Sequence, residues 1–246
     1  MGSDARHRVV SDFDPLGGWD VRAPLLPEAL AAGIAYEREL PSIRPHDVDR
    51  GYLHVSAGPE DVCFGEYTAN VTLRDDRWTI VPTHDPRKNA LSTFDDADYA
   101  AATYHRNKGS WSICADAMLE ADPHRFGADA LQLHQVEHVC AAAAALCVAY
   151  GIDPLGLSLR APYAGEPTVL THAEAADRVG VPGQYEAYGP SKTCERWDFL
   201  SLVPLPADVE PSAAIARRTG DGLRTRIAAY MGGMRPVPGA GISTAA

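Results

Sequence analysis

One stretch constrains this chain more than any other: Thr168 to Leu202, reading TVLTHAEAADRVGVPGQYEAYGPSKTCERWDFLSL. A β-rich run, Thr168-Val-Leu-Thr171, delivers His172 at its end, and Asp198 follows on the far side of a long loop punctuated by Gly and Pro. A histidine at a strand end and a carboxylate returning from a loop are what a three-ligand zinc site needs. Such a site supplies neutral imidazole and carboxylate and leaves the fourth position open for water. The third ligand must come from elsewhere. His54 is the best candidate, because Gly51-Tyr-Leu-His-Val-Ser-Ala-Gly58 is also an apolar, strand-like run. Spacing alone does not select this triple, since nine histidines offer many.

Around that stretch the hydrophobic pattern switches between strand and helix. Tyr52 to Ser56 reads as a buried strand, and Tyr67 to Leu73 with Trp78 to Val81 as a hairpin across Arg74-Asp-Asp-Arg77. Ser110-Trp-Ser-Ile-Cys-Ala-Asp116 is a further strand, entered through a Lys-Gly turn. Helical spacing is clearest over Ala128 to Tyr150, where Leu131, Val136, Val139, Cys140, Ala143, Leu146, Cys147 and Tyr150 recur and Gly151 can end the helix. Shorter helical patterns lie within Leu26 to Leu40, stopped by Pro41 and Pro45, and over Ala173 to Val179. Ala213 to Met231 is helical in composition and carries Arg217, Arg218, Arg224 and Arg226, for which packing is the expected use. Residues 1–25 read as an irregular leader, Pro204-Leu-Pro206 as a domain end, and Pro236 to Ala246 as a disordered tail.

A competing motif lies inside the long helix. His134-Gln-Val-Glu-His138 fits the H-x-x-E-H of inverted zinc peptidases, where two histidines four apart share a helix face, and Glu210 lies downstream as a third candidate ligand. The motif is short, and those peptidases use much larger paired domains. It is therefore read as a solvated helix face.

Charge narrows the function classes. A formal charge of −11 and a pI near 5.2 argue against a general nucleic-acid binder, which carries a basic face. Cys63, Cys114, Cys140, Cys147 and Cys194 form no CxxC pair and no disulfide framework, and their odd number suits a reducing compartment. No segment is apolar enough to span a bilayer, and the first residues lack the apolar core of a signal peptide. The expectation is cytoplasmic synthesis.

Four pieces stand in order along residues 50–202: YLHVSAGP, EYTANVTLRDDRWTIVPTHDP, YHRNKGSWSICAD, and VLTHAEA followed by ERWD. Together they resemble the zinc-dependent N-acetylmuramoyl-L-alanine amidases of the phage-lysozyme and peptidoglycan-recognition-protein type, especially the prophage endolysin branch. The resemblance implies an α/β fold, a central mixed β-sheet flanked by helices. It divides the chain into an N-terminal extension (1–48), a catalytic domain (49–204) and a C-terminal helix with a flexible tail (205–246). It makes His54, His172 and Asp198 the ligands of a Zn2+ ion. Asp116 falls where the family has a polar residue facing the zinc water and is the expected general base. Arg196 stands where the family often has a lysine, and fits stabilisation of an oxyanion rather than proton donation. His105 and Asn107 are expected to touch the substrate. That substrate is peptidoglycan or a muropeptide, cut between N-acetylmuramic acid and L-alanine after the protein is released from the cell. Asp75-Asp76 replaces the family's Asp-Gly turn, and Phe199-Leu200 replaces its Pro-Gly after the last ligand. The alternative is a non-catalytic peptidoglycan-binding protein on the same fold; it is disfavoured because all three ligand candidates are present.

Overall fold

The strand patterns of the sequence assemble into one mixed sheet. In the computed structural model, which describes residues 13–44, 46–91, 100, 103, 106–177 and 197–235, the strands are β1 (Arg50–Val55), β2 (Ala69–Arg74), β3 (Arg77–Pro82), β4 (Ser110–Ala115) and β5 (Val169–Thr171). Their order across the sheet is β3-β2-β4-β1-β5. β2 and β3 form the expected antiparallel hairpin, and both turn residues, Asp75 and Asp76, have positive φ, 48° and 58°. That is the turn geometry that matches the right-handed twist of paired strands. β4 runs parallel to β2 and β1, and β1 parallel to β5.

Among the described residues, four α-helices flank the sheet: α1 (Pro27–Glu39), α2 (Leu133–Tyr150), α3 (His172–Asp177) and α4 (Ala213–Met234). The fold is therefore α/β, a mixed sheet with flanking helices, as expected. α2 supplies the crossover between parallel strands that a short turn cannot make. It begins at Leu133 rather than Ala128, because the Asp129 carbonyl accepts from the Met118 N–H and is lost to any helix. It ends where expected: Gly151 takes a left-handed cap, φ 68°, and its N–H bonds to the Cys147 carbonyl.

Alternation along the strands gives the sheet two different faces. Leu53, Val55, Val71, Trp111, Ile113 and Ala115 share the main core with α2, whose residues from Gln135 to Cys147 are all buried. The run Ala141–Ala145 lets neighbouring elements approach α2 closely on every side. The other face carries Arg50, Tyr52 and His54 on β1, Ser110, Ser112 and Cys114 on β4, and Asn70 and Thr72 on β2. All are buried as well. Polar strand residues that are hidden from water have to be paired or used. That face holds the candidate site.

The flanking segments belong to the same core. Ala29 and Tyr36 of α1, and Leu223, Ile227 and Tyr230 of α4, pack with the sheet and α2, and Leu16 and Trp19 pack against that cluster. Among the described residues, no helix is long and apolar enough to cross a membrane. Cys63, Cys114, Cys140 and Cys147 are free thiols.

Candidate metal centre

The parallel register builds the site. β1 pairs with β5 so that Leu53 lies opposite Thr171. The next residue on each is a histidine. The rings of His54 and His172 sit 4.1 Å apart between centroids, tilted by 39°. Both lie at the C-terminal ends of their strands, the end at which open α/β sheets place their ligand sites. His172 is also the first residue of α3, whose start is closed by a reciprocal box. The Glu174 N–H donates to the Thr171 hydroxyl (3.1 Å), and the Thr171 N–H donates to the Glu174 carboxylate (3.0 Å).

Asp198 completes the group from a turn that follows residues outside the description. Its carbonyl accepts from the Ala173 N–H at 3.2 Å, and its Oδ2 accepts from the Val55 N–H at 3.4 Å. The same Oδ2 lies 3.0 Å from Nδ1 of His54 and 3.2 Å from Nδ1 of His172. Burial alone would push the Asp198 carboxyl up, but His172 and then His54 hold it well below the usual carboxylate range. One donor atom from each residue lies within 4.8 Å of the others, and among the described residues this is the group able to hold a metal ion. Two imidazoles and a carboxylate fit that role chemically.

Two neighbours of the site carry no signal in the motifs. The Tyr67 ring, half-buried at the entrance to β2, lies 5.2 Å from the His54 ring. Burial raises its phenol far above the ordinary value, and Cys114 and Asp198 add to the shift. Cys114, opposite His54 in the β1–β4 register, is fully buried. Its thiol is pushed well up, first by burial and then by Asp116 and Asp198. The available signal was alternation: Arg50-Tyr52-His54 beside Ser110-Ser112-Cys114 is a polar stripe inside two strands that otherwise read as buried.

Asp116 is on the same side of the sheet as Cys114, but it is not one of the three converging donors. It is fully buried, and neither carboxylate oxygen has a hydrogen bond of ordinary geometry. Burial pushes its pKa up to about 7, against the opposing pull of Thr72, Cys63, Cys114 and Arg74 around it. Its backbone is anchored at both ends, the N–H to the Val71 carbonyl and the carbonyl to the Gln135 side chain of α2.

Asn107 is not brought to the three ligands. It precedes β4, whereas the ligands sit where β1 and β5 end, and the strands between are six residues long, ~20 Å. Its side-chain oxygen accepts from the Thr103 N–H (2.8 Å), and its carbonyl accepts from the Ser110 hydroxyl (2.6 Å), so it shapes a turn. Beside it, buried Arg50 and Arg106 both donate Nε to the Tyr52 hydroxyl and stack over the Tyr163 ring, paired with Asp49 and Glu166. His105 and Arg196 lie outside the described residues.

The helix motif does something else. The expectation of a solvated face holds at His134, which is exposed, and is overturned at Glu137 and His138, which are buried; Arg226 of α4 and Trp19 of the N-terminal segment cover Glu137. Glu137 accepts from Arg226 at both oxygens (2.9 Å each), from the Tyr230 hydroxyl (2.5 Å) and from the Trp19 indole (3.1 Å). His138 Nδ1 pairs with the His134 carbonyl at 2.8 Å, while Glu210 is exposed. Arg224 and Arg226 of the basic helix pack in the core, as expected, whereas Arg217 and Arg218 remain exposed.

No family model, no curated protein and no solved structure matches this chain.

Proposed function

We propose that this protein is a zinc-dependent hydrolase that cleaves the amide between N-acetylmuramic acid and L-alanine in peptidoglycan. One observation carries the proposal. The Nδ1 atoms of His54 and His172 both face Oδ2 of Asp198, at 3.0 and 3.2 Å, at the ends of strands joined in one sheet. Two neutral imidazoles and a carboxylate are a catalytic donor set, three protein ligands with a position left for water. The motif resemblance supports the same reading, since it points to these two of the nine histidines and to Asp198. Its action would fall on the cell wall, after release from the cell that makes it.

Zinc bound by these three side chains would act as a Lewis acid and lower the pKa of a bound water to ~7. The chain's own groups divide the remaining work. Nδ1 of His54 and of His172 faces Asp198, and a histidine that ligates a metal through Nδ1 would keep its ring proton on Nε2. Tyr67, kept protonated by its raised pKa, can donate its O–H to the amide oxygen as charge develops there. Asp116, near 7, can accept a proton at neutral pH and return it to the leaving amine. The resemblance gives Arg196, two residues before Asp198 in sequence, the role of stabilising the oxyanion by its charge.

Full burial of Asp116 favours a second reading, a protein that binds muropeptides without cutting them. Incubation with purified peptidoglycan separates the two. An amidase releases stem peptides with new L-alanine amino termini and leaves the glycan strands whole. New reducing sugar ends, or cuts within the peptide, would reject the named bond; binding without product would favour the silent protein.

A further inference from the structure

We infer that helix α4, beyond the unit that the motifs define, is a positioning element of the metal centre, holding His172 through Arg224 and Asp198 through Thr219. The inference rests on His54, His172 and Asp198 being metal ligands. His54 lies within a six-residue strand paired on both sides. The other two ligands have weaker local support: β5 has three residues and α3 has six, and Asp198 stands in a turn.

The support comes from α4. The Glu174 carboxylate that closes the start of α3 is 3% exposed, and a buried charge requires a partner. Arg224 meets it with a two-pronged contact, Nη1 to Oε2 and Nη2 to Oε1, both 2.9 Å. The same Nη1 donates to the Val169 carbonyl at 2.8 Å, and Nη2 donates to Asp221 at 2.7 Å. One guanidinium thus grips the chain three residues before His172 and two residues after it. Gly220 makes the approach possible: a Cβ there would lie 2.1 Å from the Glu174 carboxylate.

One turn earlier on the helix, the Thr219 hydroxyl donates to the Leu200 carbonyl at 2.7 Å. The Leu200 N–H closes the turn around Asp198 by bonding to the Trp197 carbonyl, also 2.7 Å. Ala173 and Leu200, one from each ligand-bearing segment, share a small apolar cluster with Ile215 and Ala216 of α4. Residues 215, 216, 219, 220 and 224 recur at helical spacing, so a single face of α4 fastens both segments. Arg226 is aimed elsewhere, into the Glu137 pair on α2.

Arg226 therefore provides a matched control: the same helix and another buried ion pair, but no contact with a ligand segment. The test uses the full chain, stripped by chelation and titrated with zinc, and with cobalt(II) to read the visible spectrum of the site. Arg224→Met is expected to weaken metal affinity ~10–100-fold, the scale for removing a group that orients ligands, and to change the cobalt spectrum. Thr219→Val is expected to act in the same direction more weakly, and Arg224→Lys to recover part of the loss. Arg226→Met should lower the melting temperature at least as much as Arg224→Met and keep wild-type affinity. If Arg224→Met does not fold, Thr219→Val carries the test. Wild-type affinity in the variants at Arg224 and Thr219, or an equal loss in Arg226→Met, overturns the role given to α4. A wild-type chain that binds neither metal overturns the metal centre itself, and α4's role with it.

Discussion

Asp116→Asn should make the protein more stable at high pH, and the size of the gain follows from where the carboxyl lies. Burial carries it from its ordinary 3.8 to about 7 in the folded chain, more than Thr72, Cys63, Cys114 and Arg74 pull it back. Well below pH 4 the group is protonated in both folded and unfolded chains, and it contributes no difference. Between those two values the unfolded chain gives up its proton first, so stability falls as the pH rises. Above 7 both states are ionised, and only the folded one carries a buried charge. A gap of roughly three pH units, at about 1.4 kcal/mol for each, is worth about 4 kcal/mol. Asparagine keeps the shape without ionising, so this part of the pH dependence disappears. Urea midpoints of the chelated wild type and Asp116→Asn, taken from pH 4 to 8, should lie closest at the acid end and diverge toward pH 8, with the variant the more stable. A difference between the two proteins that does not change with pH would refute the reasoning. Turnover should fall ~10²–10⁴-fold in the same variant if the carboxyl is the general base. A gain in stability with a loss in rate is the trade expected of a functional group held in an unfavourable place.

Three further outcomes are expected. About one zinc per chain should be found by metal analysis, lost in His54→Ala, His172→Ala and Asp198→Ala but retained in His134→Ala; loss only in His134→Ala would move the site to α2. Tyr67→Phe should bind zinc as the wild type does yet turn over ~10²–10³-fold more slowly on peptidoglycan, and unchanged turnover would remove its phenol from oxyanion stabilisation. Gly151→Ala should lower unfolding stability by ~1 kcal/mol, because the cap at φ 68° strains any side chain, and should leave metal binding untouched.

Much of the fold was legible in the residues. The hairpin over Arg74–Arg77, the strands around His54 and Cys114, the helix ending at Gly151 and the run into His172 are all local patterns, set by alternation, turn chemistry and capping. The identities of the three converging residues were legible too, through motif order. One reading failed for a physical reason. With the peptidase motif set aside as too short, His134-Gln-Val-Glu-His138 read as a solvated face, but burial is decided by neighbours distant in sequence, at Glu137 by Arg226, Tyr230 and Trp19. Asn107, given as a substrate contact by the resemblance, lies at the end of β4 away from the three ligands, a placement that strand direction decides.

The sequence by itself determined the elements and the chemical character of a candidate site, because helix, strand and turn preferences act over a few residues. Only the tertiary structure decided that His54 and His172 are side by side. That depends on the parallel register of β1 with β5, two strands more than a hundred residues apart that a one-residue slip would separate. It also decided that the C-terminal helix, expected to pack but placed outside the catalytic domain by the motifs, grips the segments bearing His172 and Asp198. The pairing of Arg224 with Glu174 joins residues 50 positions apart and leaves no trace in local pattern, since a buried charge is recognised only by the partner that compensates it.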